Sequence, residues 1–110
     1  MGLSTLIFAK DLEELEKVCT LHPDFVSYEP PELIGSTTTS VSQAQPDVIA
    51  KASKITSSFS IPLIVGAGVH SKEDVSKSIE LGAAGIAVAT DIVKAQDPKA
   101  ELLDLLEGFK

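Results

Sequence analysis

Short, unbroken apolar runs alternate with amphipathic segments four times along this chain, and no other feature constrains its fold as strongly. The runs are "LSTLIFA" (Leu3 to Ala9), "FVSYE" (Phe25 to Glu29), "IPLIVGAG" (Ile61 to Gly68) and "AGIAVAT" (Ala84 to Thr90). A strand with one wet face alternates apolar and polar residues. A continuous apolar run belongs to a strand covered on both faces, the condition of a parallel sheet with helices packed over it.

Helical spacing follows each run. Leu12, Leu15, Val18 and Cys19 share one face of "LEELEKVCTL", and Asp11 stands before it as an N-cap. Pro46 suits the first turn of a helix over "DVIAKASKITSSF", and Ser71 caps "KEDVSKSIELG", with Glu73 and Asp74 in its first turn and Gly82 as its stop. Asp97 and Pro98 open a last helix, "PKAELLDLLEGF". A strand–helix unit every ~25 to 30 residues is the spacing of a barrel of eight such units, which takes about 250 residues. With 110 residues, the expectation is α/β: four parallel strands, each followed by a helix, as a single half-barrel over residues 1–110. A long polar loop at about residues 30–45 is part of it. Its open sheet edges predict an oligomer.

Composition narrows the function classes. The formal charge is −7, and the nine basic residues are all lysines. Without arginine there is no bidentate phosphate fork, and aromatic residues make up only 5% of the chain, so a nucleic-acid partner is not expected. No apolar stretch approaches the ~18 residues that span a bilayer, so no membrane partner is expected. The single Cys19 excludes an internal disulfide and a cysteine-based zinc site and suits a cytoplasmic setting. No metal and no cofactor is expected.

In parallel strand–helix folds, chemistry gathers where strands end. Of the strand ends here, only Glu29 offers a strong acid–base group. A lone strand-end glutamate is ordinarily just solvated, but Pro30 and Pro31 restrict its backbone and hold the carboxylate in place. "VGAGVHSKEDV" leaves a strand through glycines and enters a helix; such a turn either needs glycine for its φ angles or brings backbone N–H groups to an anion. The small residues Ala89 and Thr90 at the next strand end leave room beside it. His70 adjoins that loop, and a turn histidine is more commonly solvated than ligating. His22 reads as a turn residue and Cys19 as a small hydrophobe. Ser36 to Ser40 read as a solvated hydroxyl run. Asp91 stands awkwardly beside a site for an anion.

Taken whole, "YEPPELIG" resembles the lid region of triosephosphate isomerase in its archaeal form, and the likeness extends over essentially the full chain. "DFVSYEPPELIGS…VSQAQPDVI" looks like the sixth unit of that barrel, and "IPLIVGAGVHSKEDVSKSIELGAAGIAVATDIVKAQDPK" like the seventh and eighth. "LSTLIFAKDLEELEKV" looks like the fifth, by a much less specific match. The resemblance implies the C-terminal half of a glycolytic and gluconeogenic isomerase that interconverts dihydroxyacetone phosphate and glyceraldehyde 3-phosphate. It makes Glu29 the catalytic base and Pro30-Pro31 the lid hinge. Ile34, Gly35, Gly68, Ala89 and Thr90 become the groups that hold the substrate phosphate.

This chain departs from the family in three ways. Gly35 is followed by Ser36-Thr37 where the family's lid continues Gly-Thr-Gly, and Asp91 stands where archaeal members tend to have glycine. The family's electrophilic lysine and histidine come from units absent here, and Lys10 and His70 lie at the wrong loops to replace them. The chain alone is therefore expected to be catalytically incomplete, completed by an N-terminal half-barrel. The alternatives are a self-associating phosphate-binding half-barrel, or a fragment of another phosphosugar-binding barrel.

Overall fold

The apolar runs form one parallel sheet in the order β1 (Leu6–Ala9), β2 (Phe25–Tyr28), β3 (Leu63–Gly66), β4 (Gly85–Ala87) in the structure, a computed structural model describing residues 2–110. Ala9 lies opposite Tyr28, Tyr28 opposite Val65, and Val65 opposite Ile86. Because side chains alternate along a strand, these residues share one face. That face carries the core. Val26, Tyr28, Leu63 and Val65 pack there against Leu15 and Cys19 of α1 (Leu12–Cys19) and, beyond the short α2 (Val41–Ala44), against Ile49 and Ala52 of α3 (Pro46–Ser58). The other face runs through Phe8, Ser27, Ile64 and Gly85. Leu6 and Phe8 are 43% and 53% exposed on it. This is the architecture of a half-barrel: helices cover the outer face, and the inner face and both sheet edges stay open.

The remaining helices are α4 (Lys72–Glu80), α5 (Thr90–Val93) and α6 (Pro98–Glu107). The expected caps form. Asp11 accepts a hydrogen bond from the Glu14 amide at 2.8 Å, Ser71 from that of Asp74 at 3.2 Å, and Asp97 from that of Ala100 at 3.1 Å. Gly82 ends α4 with φ +112°, and a Cβ there would stand 2.1 Å from the Ser53 hydroxyl, so both its conformation and its packing require glycine. Among the described residues no helix is long and apolar enough to cross a membrane.

Three elements differ from the sequence expectation. The segment from residue 30 to 45 is not one long loop: Pro31–Leu33 make a 3₁₀ turn, and α2 follows. A reciprocal cap explains α2, since the Gln43 amide donates to the Ser40 hydroxyl while the Gln43 side chain accepts from the Ser40 amide. Ser40 is thus fully buried rather than part of a solvated run. The fourth strand stops at Ala87, and Thr90 begins α5, whose Val93 and Lys94 amides donate to the Ala89 and Thr90 carbonyls at 2.9 Å.

Candidate active site

Parallel strands deliver their C-terminal ends to one rim, and Glu29 is the first residue past β2. Its amide donates to the Ala9 carbonyl at 3.0 Å, so β1 holds its backbone, and the buried ring of Pro30 follows at once. The side chain lies over the backbone of Gly66, at the end of β3. A Cβ on Gly66 would stand 2.2 Å from Glu29 Oε1, so this seat exists only beside a glycine. Burial pushes the Glu29 carboxyl above its ordinary value. The Ser27 hydroxyl lies two residues earlier on the same face, its oxygen buried and without a hydrogen-bond partner among the described residues.

Beyond the 3₁₀ turn the chain runs toward the β4 end. Ile34 is 58% exposed, and Gly35, at φ +80°, stands so close to Thr90 that a Cβ would meet its hydroxyl at 4.0 Å. The chain then returns to the glycine loop after β3, where the Val41 amide donates to the Ala67 carbonyl at 3.1 Å. Gly68 has φ +72°, and a Cβ on it would fall 2.1 Å from the Thr39 carbonyl. Ala67, between the two glycines, carries φ +87°, which is strained for a side-chain-bearing residue. The loop therefore needs glycine both for its φ angles and for close approach.

Glu29, Ile34, Gly35, Gly68, Ala89 and Thr90 all line one cavity of about 310 Å³, together with Phe8 and Asp91. Pro30 and Pro31, expected as a lid hinge, lie outside the lining. Among the described residues no lysine or histidine lines the cavity, so any anion there depends on backbone N–H groups and the Ser36 and Thr90 hydroxyls. Asp91 does face the cavity, with Oδ2 buried and unpartnered. Its neighbour Glu101 is held above its ordinary value, with Asp91 as the chief cause.

Lys10 and His22 are exposed and away from the cavity. Cys19 is buried in the core, where burial and then Glu16 push its thiol up. The His70 ring is turned to the loop backbone, its Nδ1 2.7 Å from the Gly68 carbonyl. Two contributors escaped the sequence reading. Gly66 seats Glu29, and Asp74 is a buried carboxylate behind the glycine loop. The spacing Ser71-Lys72-Glu73-Asp74 signals a helix start, but nothing local signals burial.

A family model for triosephosphate isomerase matches residues 5–108. The triosephosphate isomerase of Saccharolobus solfataricus is 42% identical over 107 residues, covering 96% of this chain and 47% of the relative. That of Methanopyrus kandleri is 40% identical over 111 residues, covering 99% and 49%. That of Thermoplasma volcanium is 38% identical over 107 residues, covering 97% and 50%. Two solved structures share the fold alone. One is the Amycolatopsis orientalis BexX/CysO complex, with TM-score 0.62, 24% identity and coverage of 99% of this chain and 45% of that one. The other is a mutant flavocytochrome b2 with benzoylformate, with TM-score 0.69, 20% identity and coverage of 98% and 29%. The chain spans about half the length of the curated relatives it matches, and over that span it belongs to the triosephosphate isomerase family.

Proposed function

We propose that this chain supplies the proton-transfer and phosphate-holding half of a triosephosphate isomerase, the C-terminal half of the barrel. Its substrates are dihydroxyacetone phosphate and glyceraldehyde 3-phosphate. The observation that carries this reading is the convergence of Glu29, the lid residue Gly35, Gly68 and Thr90 on one cavity.

In this reading the Glu29 carboxylate takes a proton from the carbon beside the substrate carbonyl, and the electron pair moves onto the carbonyl oxygen to give an enediolate. The proton then returns to the former carbonyl carbon, while the enediolate's hydroxyl proton passes to the former carbonyl oxygen and the other oxygen becomes the new carbonyl. The raised affinity of Glu29 for a proton makes it a better base than a solvated carboxylate. Ile34, Gly35, Gly68, Ala89 and Thr90 hold the phosphate, with the lid hinged at Pro30-Pro31 to exclude water while the enediolate exists. Among the described residues no cationic side chain lines the cavity to stabilise the developing oxyanion. That role falls to a lysine and histidine from a completing half-barrel, which docks on the open inner face around Leu6 and Phe8 and on the two sheet edges.

The same exposed inner face, with Phe25 at 38% exposure beside Leu6 and Phe8, favours one second reading. Two copies of the chain close a barrel and hold a phosphosugar without turning it over. The deciding experiment is an isomerisation assay on glyceraldehyde 3-phosphate, with this chain mixed with the first four strand–helix units of an archaeal relative. Turnover only in the mixture, lost with Glu29→Gln, establishes the isomerase reading. A homodimer that binds phosphate and associates with the other half without turnover supports the second.

A further inference from the structure

The lid's far end and the start of α4 meet at Asp74. This carboxylate is 2% exposed, and among the described residues the only basic side chain within ion-pair range is His70, with Nδ1 at 3.4 Å. Three neutral contacts hold its place. Asp74 Oδ1 accepts from the Ser40 hydroxyl at 2.7 Å, Oδ2 accepts from the His70 amide at 3.1 Å, and its own amide donates to Ser71. The Ser40 hydroxyl also lies 3.0 Å from that of Ser42. A helix start is served equally well by an exposed acid, and burying a carboxylate costs free energy unless it is hydrogen-bonded. Ser40, 34 residues away in sequence, is what the burial achieves.

Further contacts cluster at the same junction. The Val41 amide bonds the Ala67 carbonyl, and the Thr39 carbonyl occupies the place a Gly68 side chain would need. The His70 ring takes the Gly68 carbonyl; because a carbonyl only accepts, Nδ1 carries the proton, and the direction of that peptide is set. We propose that Asp74 is a positioning residue. It clasps the C-terminal end of the lid to the glycine loop, so that the anion cradle is formed before the anion arrives. The anion's part in this rests on the phosphate site proposed above, whereas the clasp itself rests on the contacts.

The test is amide hydrogen exchange on the 110-residue chain, with inorganic phosphate as titrant, for the wild type, Ser40→Ala, Asp74→Asn and the double variant. Ser40→Ala is expected to speed exchange at Ser36, Thr39 and Val41 about tenfold and to weaken phosphate about fivefold. Val65 and Ile79 keep their wild-type rates. Asp74→Asn frees the same amides and also that of His70, and the double variant is no worse than Asp74→Asn within about twofold. Unchanged Val41 exchange in both single variants overturns the proposal. So does acceleration of Val65 and Ile79 in step with the lid, which marks a residue that merely supports the whole fold. If the wild type binds no phosphate while both variants still release Val41, the phosphate reading fails and the clasp stands.

Discussion

Gly66→Ala tests whether the seat of Glu29, rather than its mere presence, sets activity. Gly66 is buried at the end of β3 and its φ lies outside the left-handed region, so alanine strains no backbone angle there. The three atoms nearest the added Cβ all belong to Glu29, with Oε1 at 2.2 Å, Cδ at 2.8 Å and Cγ at 3.0 Å. Unbonded atoms do not settle that close, so the carboxylate has to retreat by about 1 Å. A displacement of that size at a reacting group costs about 100-fold in turnover, or about 2.7 kcal/mol of transition-state stabilisation. Gly35, Gly68 and Thr90 are untouched, so affinity for inorganic phosphate should stay within about twofold of wild type, and the loss should fall on kcat rather than KM. Two assays check this: steady-state kinetics of the mixture with the complementing half, and carboxyl-carbon NMR titration of Glu29 in the chain alone. A carboxylate pushed outward loses part of its burial, so its raised pKa should fall back toward the ordinary value. Wild-type kcat together with an unmoved Glu29 titration would refute the reasoning. A loss confined to phosphate affinity would equally show that Gly66 acts on the cradle and not on the base.

Glu29→Gln should stabilise the chain above the acid range. Burial raises the Glu29 pKa, so the folded state holds its proton longer than the unfolded state does. Stability therefore falls as pH rises from the ordinary glutamate value through the raised one. The variant's urea midpoint should exceed wild type at neutral pH and match it below that window; an equal gain at both pH values would sink the argument. Gly68→Ala forces a side chain onto φ +72° and against the Thr39 carbonyl. It should cost about 2 to 3 kcal/mol by urea unfolding, and the lid should lose its dock. A cost under about 0.5 kcal/mol would mean the loop yields freely. Asp91→Asn removes a carboxylate from the cavity wall and should tighten phosphate binding roughly fivefold, while the Glu101 pKa falls toward its ordinary value as the negative charge beside it is removed; calorimetry and NMR titration read the two.

What was legible in the sequence was what neighbouring residues decide together. Asp11, Ser71 and Asp97 cap the helices assigned to them, Pro46 and Pro98 sit in first turns, and Gly82 stops α4, because capping is settled within a few residues. The unbroken apolar runs implied a parallel sheet. A parallel sheet brings its strand ends to one rim, so Glu29, Gly68 and Thr90 meet although they are distant in sequence. The misreadings have a common physical cause. A four-residue helix such as α2 or α5 is too short to show periodicity, so Ser40 passed for loop and Thr90 for strand. The one usable signal was the Ser40-Val41-Ser42-Gln43 spacing of a capping box. Gly66 under Glu29 and Ser40 on Asp74 join separate strand–helix units, and no local pattern encodes a partner 34 or 37 residues away. The division has a functional consequence. Local signals build the units and bring Glu29, Gly68 and Thr90 to the rim, but the last ångström of Glu29 and the hold on the segment around Ser40 are set by contacts between units. Substitutions at Gly66, Ser40 and Asp74 should therefore separate activity from folding more cleanly than substitutions within any single helix or strand.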